Sequence, residues 1–185
     1  NFMVFLNNSN EIVYSKNVDL IEEAEAPTPE YLTSYFKSAK HLLTHANAKD
    51  DKSGIAMISG ELILLSSWPI SDNQYGAING TLIVGKYFNS HQIEALSERT
   101  RLPLTLACIN SDSISDDLKT AKAALADTDK FSQLLDDSTI SGYLRVNDIL
   151  GNPCLIAKIE MPRDVYNKGK QTSSYFISAL FAVGL

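Results

Sequence analysis

Cysteine is scarce in this chain: two in 185 residues, Cys108 and Cys154. That excludes a disulfide-stapled scaffold and a zinc ribbon. Each lies in an apolar, strand-like run (LPLTLACI and PCLIAKI), where a thiol acts as a small hydrophobe; pairing of the two stays open and would need neighbouring strands. Positive charge is also sparse, with 16 Lys and Arg against 22 Asp and Glu, a formal net charge of −6, and no basic run. Nucleic-acid binding needs a clustered positive face and is disfavoured. Phosphate-cradling Walker or Rossmann glycine patterns are missing, as is a Gly-x-Ser-x-Gly elbow. Neither cysteine has the electropositive surroundings that would activate it. Of three histidines, His41 and His45 share a helical face but have no obvious third ligand, and structural zinc takes four. The expectation is a non-enzyme without metal or cofactor.

What is abundant is apolar strand, and it peaks between Gly54 and Phe88. Three strands are expected there. Ser59-Gly60 forms a two-residue hairpin turn, in which glycine supplies the positive φ. A longer polar link runs from Ser71 to Gly80. In the middle strand Leu62, Leu64, Ser66, Trp68 and Ile70 share one face, and Ile63, Leu65 and Ser67 the other. Apolar residues on both faces predict burial on both sides. Pro69, lacking an amide donor, predicts an edge or exit, and Gly85 a bulge or a close approach by another chain segment.

Around this meander the chain reads β-β-α-β-β-β, then α-β-α-β-β-α. Phe2–Leu6 and Ile12–Ser15 form a first hairpin. An acidic connector leads to a helix capped by Thr28 with Pro29 at its first position, running to about Ala46 and burying Leu32, Phe36, Ala39 and Leu43, with Tyr35 and Leu42 widening the stripe. Asn89 and Gln92 form a capping box for a short helix burying Ile93 and Leu96. Ser115 starts a helix with the stripe Leu118, Ala121, Leu125. A hairpin turning at Leu150-Gly151-Asn152 follows, and a C-terminal helix begins at Pro162. Its last stretch, from Gln171 to Leu185, carries no charge. That predicts the edge of a membrane helix, since a span needs about 20 apolar residues and a surface helix would keep a polar face.

The expected fold is α+β: a PAS- or Cache-like central antiparallel sheet with flanking helices over residues 1–109, a smaller membrane-proximal α/β module over 110–161, and a C-terminal helix over 162–185 leading to a truncated transmembrane segment. Such a sheet cups a small-molecule site. Pockets combine apolar walls with a few polar anchors, and the adjoining strands offer Ser66, Trp68, Lys86 and Tyr87. Tyr31 and Tyr35 on the first helix are placed to close that pocket. Arg163 either ties the last helix to the sheet by an ion pair or touches the ligand.

LSSWPISDN followed by GAINGTLIVGKYFN resembles the CHASE group of extracytoplasmic sensors, specifically its fourth class. Pro69, Ile70, Gly80, Leu82, Ile83, Gly85 and Lys86 fall on the signature. Gly142, Tyr143, Asp148, Gly151, Pro153, Pro162, Arg163, Tyr166 and Gly169 match the end of such an ectodomain. The long N-terminal helix usual in members is absent from this sequence. The resemblance implies the input domain of a membrane receptor, a sensory histidine kinase first and a diguanylate cyclase-type receptor second; a non-signalling binding or adhesion ectodomain is the further alternative. The implied partners are an unknown small molecule or none, the membrane through flanking helices, and a second copy in a homodimer.

Overall fold

The structure is a computed structural model that describes residues 1–19, 24–72, 76–111 and 114–183. In chain order the elements are β1 (Phe2–Asn7), β2 (Ile12–Asp19), β3 (Ala24–Ala26), α1 (Glu30–Ser38), α2 (Lys40–Leu43), β4 (Lys52–Ile58), β5 (Glu61–Ser71), β6 (Ile78–Tyr87), α3 (Ser90–Thr100), β7 (Leu104–Cys108), α4 (Asp116–Ala124), β8 (Lys130–Leu134), β9 (Thr139–Asn147), β10 (Pro153–Pro162) and α5 (Asp164–Val183). The chain divides into two compact units. The first comprises Asn1–Gln92 and Asn147–Cys154; the second comprises Ile93–Val146 and Leu155–Leu185.

The first unit is built on a six-stranded antiparallel sheet in the order β3-β2-β1-β6-β5-β4. The expected hairpin at Ser59-Gly60 is there: both residues take positive φ, 51° and 87°, the geometry of a two-residue turn whose twist matches the flanking strands. Phe2, Val4, Leu6, Ile63, Leu65 and Ile83 point to one face and are buried against Leu32 and Phe36 of α1 and Leu42 of α2. The opposite face is open among the described residues. Leu64, Trp68, Val84 and Met3 lie on it with 36%, 47%, 41% and 39% of their surface exposed. Burial of β5 on both sides is thus corrected to burial on one, because both helices of this unit that join its core lie on the same side of the sheet.

Two other helix expectations change. Helix α1 begins at Glu30, with Pro29 as its flanking residue and no side-chain cap, so Thr28 does not cap it. It also stops at Ala39, whose ψ of 64° breaks the helix before α2 restarts it. The break changes the phase of the apolar stripe, so Leu42 is fully buried and Leu43 only partly. Residues 20–23 of the acidic connector, and 73–75 of the polar link after β5, lie outside the described residues.

Proline and glycine in the meander behave as their chemistry demands. Pairing between β4 and β5 ends at Lys52 opposite Ser67, so Pro69 has a ladder partner only in β6. Gly85 pairs with Phe2 across β6 and β1. A methyl group there would collide with the Phe2 ring, the close approach expected of an interior glycine.

The second unit has a four-stranded antiparallel sheet ordered β7-β10-β9-β8. Leu118 and Ala121 of α4 and Leu125, which caps its end, pack on Tyr143 and Ile156, as the stripe predicted. Strand β8, not anticipated from the sequence, alternates half-buried and exposed residues and pairs with β9. Asp117 at the start of α4 accepts hydrogen bonds from Lys158 (2.6 Å) and Tyr143 (2.9 Å), and Gln133 donates to the Tyr143 hydroxyl at 2.9 Å. Asn89 and Gln92 form the reciprocal capping box at 3.3 Å each way. Helix α3 buries no residue, however; Leu96 is 38% exposed, and neither it nor Ile93 joins a core cluster. Cys108 and Cys154 form no disulfide with one another. Strand β10 extends to Pro162 and α5 starts two residues later. No residue of α5 is buried, and among the described residues no helix is long and apolar enough to cross a membrane.

Candidate functional site

Among the described residues, two concavities stand out beside the sheet of the first unit. The larger, about 610 Å³, lies on the open face. Met3, Leu64, Leu65, Val84 and Gly85 make it apolar, with Asn1, Lys16, Ser66 and Lys86 as its polar members. Lys16 is paired with Glu25. Lys86 has no hydrogen bond or ion pair among the described residues. Trp68 stands on the same face, and its indole N–H donates to Ser66 Oγ at 2.7 Å. Ser66 and Trp68 are therefore coupled to one another, and the serine hydroxyl also meets Ser53 Oγ at 2.8 Å.

The smaller concavity, about 380 Å³, lies at the end of the sheet beside α1. Register places its residues. Ile63 pairs with Tyr87, so Tyr87 points to the helix face, and Phe2 pairs with Asn17, which puts Asn17 on the same face. The hydroxyls of Tyr31, from α1, and Tyr87 hydrogen-bond at 3.3 Å. The Tyr87 ring also packs edge-on against Phe2, with centroids 5.8 Å apart. Burial, reinforced by the Tyr31 hydrogen bond and the charge of Glu61, pushes the Tyr87 phenol above the ordinary tyrosine range. It is neutral at any physiological pH. Asp19, Glu61, Lys86, Asn89, His91 and Gln92 complete a polar lining.

The expected site residues are thus dispersed over the fold. Ser66 and Trp68 are on the open face, and Tyr87 is on the helix face. Lys86 lies at the sheet end and lines both concavities. Tyr31 meets Tyr87 through their hydroxyls. Tyr35, one turn further along α1, lines neither concavity; its hydroxyl meets His41 Nε2 at 3.4 Å. Burial raises the Tyr35 phenol, and burial together with the nearby Lys52 lowers the His41 imidazole, against a smaller opposing pull from Asp148. Arg163 belongs to the second unit. Its guanidinium stacks over the Tyr166 ring at 4.2 Å and forms no ion pair among the described residues, so the ion pair expected of it is replaced by a cation–π contact. Among the described residues no three His, Cys, Asp or Glu side chains cluster as a metal site would require.

Sequence reasoning missed Asn17, Asp19, Glu61 and the Asn89–Gln92 group. They sit at strand ends, where no periodicity marks them. The hairpin register was the available signal: with a two-residue turn at Ser59-Gly60, Glu61 must start β5 close to where β6 ends at Tyr87.

Comparison with known proteins completes the picture. The chain is 25% identical over all 185 residues to the methanogenesis regulatory histidine kinase FilI of Methanothrix harundinacea, and spans only 20% of that protein. Among solved structures it is similar to the extracellular domain named for the histidine kinase vpHK1S-Z8 (14% identity, TM-score 0.49, covering 91% of this chain and 70% of that one). It is also similar to the periplasmic domain of Vibrio cholerae LuxQ (15% identity, TM-score 0.45, covering 86% and 70%). The CHASE4 domain model matches residues 1–107, more than half the chain and all six strands of the first sheet. The chain belongs to the CHASE4 domain family, a group of extracytoplasmic sensory domains.

Proposed function

We propose that this chain is the input domain of a membrane-bound sensory histidine kinase, and that it reads a small molecule at the cleft between α1 and the end of the first sheet. One observation carries the first part: the match to a regulatory histidine kinase extends over the whole chain and not over a fragment of it. The cleft is favoured over the open face because its lining mixes aromatic walls with several polar anchors on four different elements, as selective ligand sites do. Of the residues expected from the sequence, Lys86, Tyr87 and Tyr31 serve this site. Ligand binding biases the first unit between two states, and the C-terminal helix α5 relays the difference toward the membrane.

The test uses the full-length parent in proteoliposomes. It should incorporate phosphate from ATP into a histidine, and a hit from a thermal-shift screen of the chain should change that rate. Substituting Tyr31→Ala should abolish the response to the hit and leave basal phosphorylation in place. A parent without kinase activity, but with cyclic-dinucleotide synthesis, would replace the kinase by a cyclase while leaving the input role intact.

A further inference from the structure

Strand β4 is an edge of the first sheet, paired with β5 on one side only. Its outer side is met by the turn between β9 and β10. The Ile149 amide donates to the Ile55 carbonyl at 2.7 Å, and the Ile149 side chain packs against the core of the first unit. Gly54 permits that approach: a methyl group there would lie 3.0 Å from Ile149 Cβ and 3.1 Å from its Cα. The turn is locked onto itself. Asp148 Oδ1 accepts from the amides of Leu150 (2.9 Å) and Asn152 (2.8 Å), the Asp148 amide donates to the Asn152 carbonyl at 2.7 Å, and Gly151 supplies a φ of 84°. A turn closed by its own aspartate in this way moves as a body. The Asp148 charge also reaches α1 and α2, where it opposes ionisation of Tyr35 and favours protonation of His41.

Residues 147–154 belong to the first unit, while the rest of β9 and β10 belongs to the second. These are the two inner strands of the second sheet, each paired on both sides. At its other end the hairpin holds the start of α5. The Arg163 amide, between β10 and α5, donates to the Ser138 carbonyl at 2.7 Å. Asn167 Nδ2 donates to the Asp137 carbonyl at 3.1 Å, and both acceptors stand just ahead of β9. Rigid elements and hydrogen-bond networks of this kind carry displacement from one end to the other. On the reading of this chain as an input domain, we propose that the β9–β10 hairpin is its output strut: a shift of β4 at Gly54–Ile55 drives the Asp148–Asn152 turn through Ile149, and the hairpin delivers it to the first turn of α5. Helix α1 supplies the upstream link, with Tyr31 at the cleft and Tyr35 within reach of the Asp148 charge.

Gly54→Ala is a wedge under Ile149. Gly60→Ala is its control, since Gly60 follows the far end of β4 and nothing lies near an added methyl there. NMR amide spectra and hydrogen exchange of the 185-residue chain read both. Gly54→Ala should shift the Arg163 and Asn167 amide signals and change their exchange rates by about threefold or more, and Gly60→Ala should leave them in place. Ile149→Ala withdraws the side chain without adding bulk, and serves if Gly54→Ala does not fold; it should speed exchange at Leu150, Asn152, Arg163 and Asn167 by about threefold or more. Arg163 and Asn167 signals that ignore Gly54→Ala and Ile149→Ala, or that answer Gly60→Ala equally, would overturn the strut. In the full-length parent, Gly54→Ala should change the basal rate of histidine phosphorylation by about threefold or more, as substitutions along a coupling route do, and Gly60→Ala should not. Shifts at α5 in a parent that phosphorylates no histidine would overturn the kinase reading and leave the strut standing. Phosphorylation that is intact and indifferent to Gly54→Ala would overturn the strut as the output path.

Discussion

Gly85→Ala is a substitution to which the first sheet should be highly sensitive. Gly85 faces Phe2 in the pairing of β6 with β1, and the added methyl would lie inside the space of the Phe2 ring. That ring has nowhere to retreat. It is 3% exposed, and its centroid is 5.6 Å from Phe36 and 5.8 Å from Tyr87. The backbone is equally confined, because β6 is hydrogen-bonded to β1 on one side and β5 on the other. Overpacking costs about 1–3 kcal/mol where neighbours can adjust; pinned on all sides, this site should fall at the upper end, about 3 kcal/mol. Phe2→Leu alone removes ring contacts and should cost about 1–2 kcal/mol. Together the two changes should cost less than their sum by about 1 kcal/mol or more, since leucine vacates the space the methyl needs. Urea unfolding of the four proteins, with a shared m-value, measures the cycle. A Gly85→Ala protein within about 0.5 kcal/mol of the parent, or strict additivity in the double variant, would refute the collision as the reason for glycine here.

Other expectations follow from particular residues. Burial alone would raise the Asp117 carboxyl, but hydrogen bonds from Lys158, Ser115 and Tyr143 outweigh it and hold the group well below the usual carboxylate range. A depressed carboxylate stabilises the fold above its unfolded pKa, about 4, and that stability drains as pH falls further; Asp117→Asn should flatten the loss in acid unfolding curves. Lys158→Met should cost about 3 kcal/mol at neutral pH, because it leaves a largely buried carboxylate without its cation. His41, lowered mainly by burial, favours the neutral ring in the folded state, so its stabilising effect is present above about pH 6.5 and fades on acidification; its NMR titration midpoint should lie below that of a free imidazole. Gly60→Ala should cost about 1 kcal/mol through backbone strain alone, since φ is 87° and nothing lies near the added methyl. A Gly60→Asn variant should recover part of that loss.

The meander was legible because each of its signals has a local cause. A positive-φ turn at Ser59-Gly60, a proline beyond the last β4 pair and a glycine under Phe2 leave marks in a few consecutive residues. The capping box at Asn89 and the stripe of α4 are similarly local. What was not legible depends on which face of a sheet meets a helix. Alternation told Leu64 from Leu65 but not which would be covered, and both are leucine. The candidate site suffered most for that reason. Ser66, Trp68 and Tyr87 lie on adjoining strands, yet the pleat sends the first two to one side and the third to the other. The contact of Tyr31 with the sheet was legible because one aromatic at the start of a helix needs only one partner there. Asn17 and Glu61 are single polar residues at strand ends, indistinguishable in sequence from ordinary solvated positions.

Strand β1 opens the chain yet lies at the centre of the six-stranded sheet, between β2 and β6. As the chain leaves the ribosome, β1 can pair at once with β2, only a short turn away. Its other edge must wait until Ile78–Tyr87 has emerged, since β6 is its second partner. For that interval an apolar strand, with Phe2, Val4 and Leu6 destined for the core, has one row of unpaired amides and carbonyls. Closing it is a long-range event, and such closures are slow. The birth order of the strands therefore sets a window in which this domain is most prone to pair with another chain, and pulse proteolysis of nascent chains ending before and after Tyr87 should see that window shut.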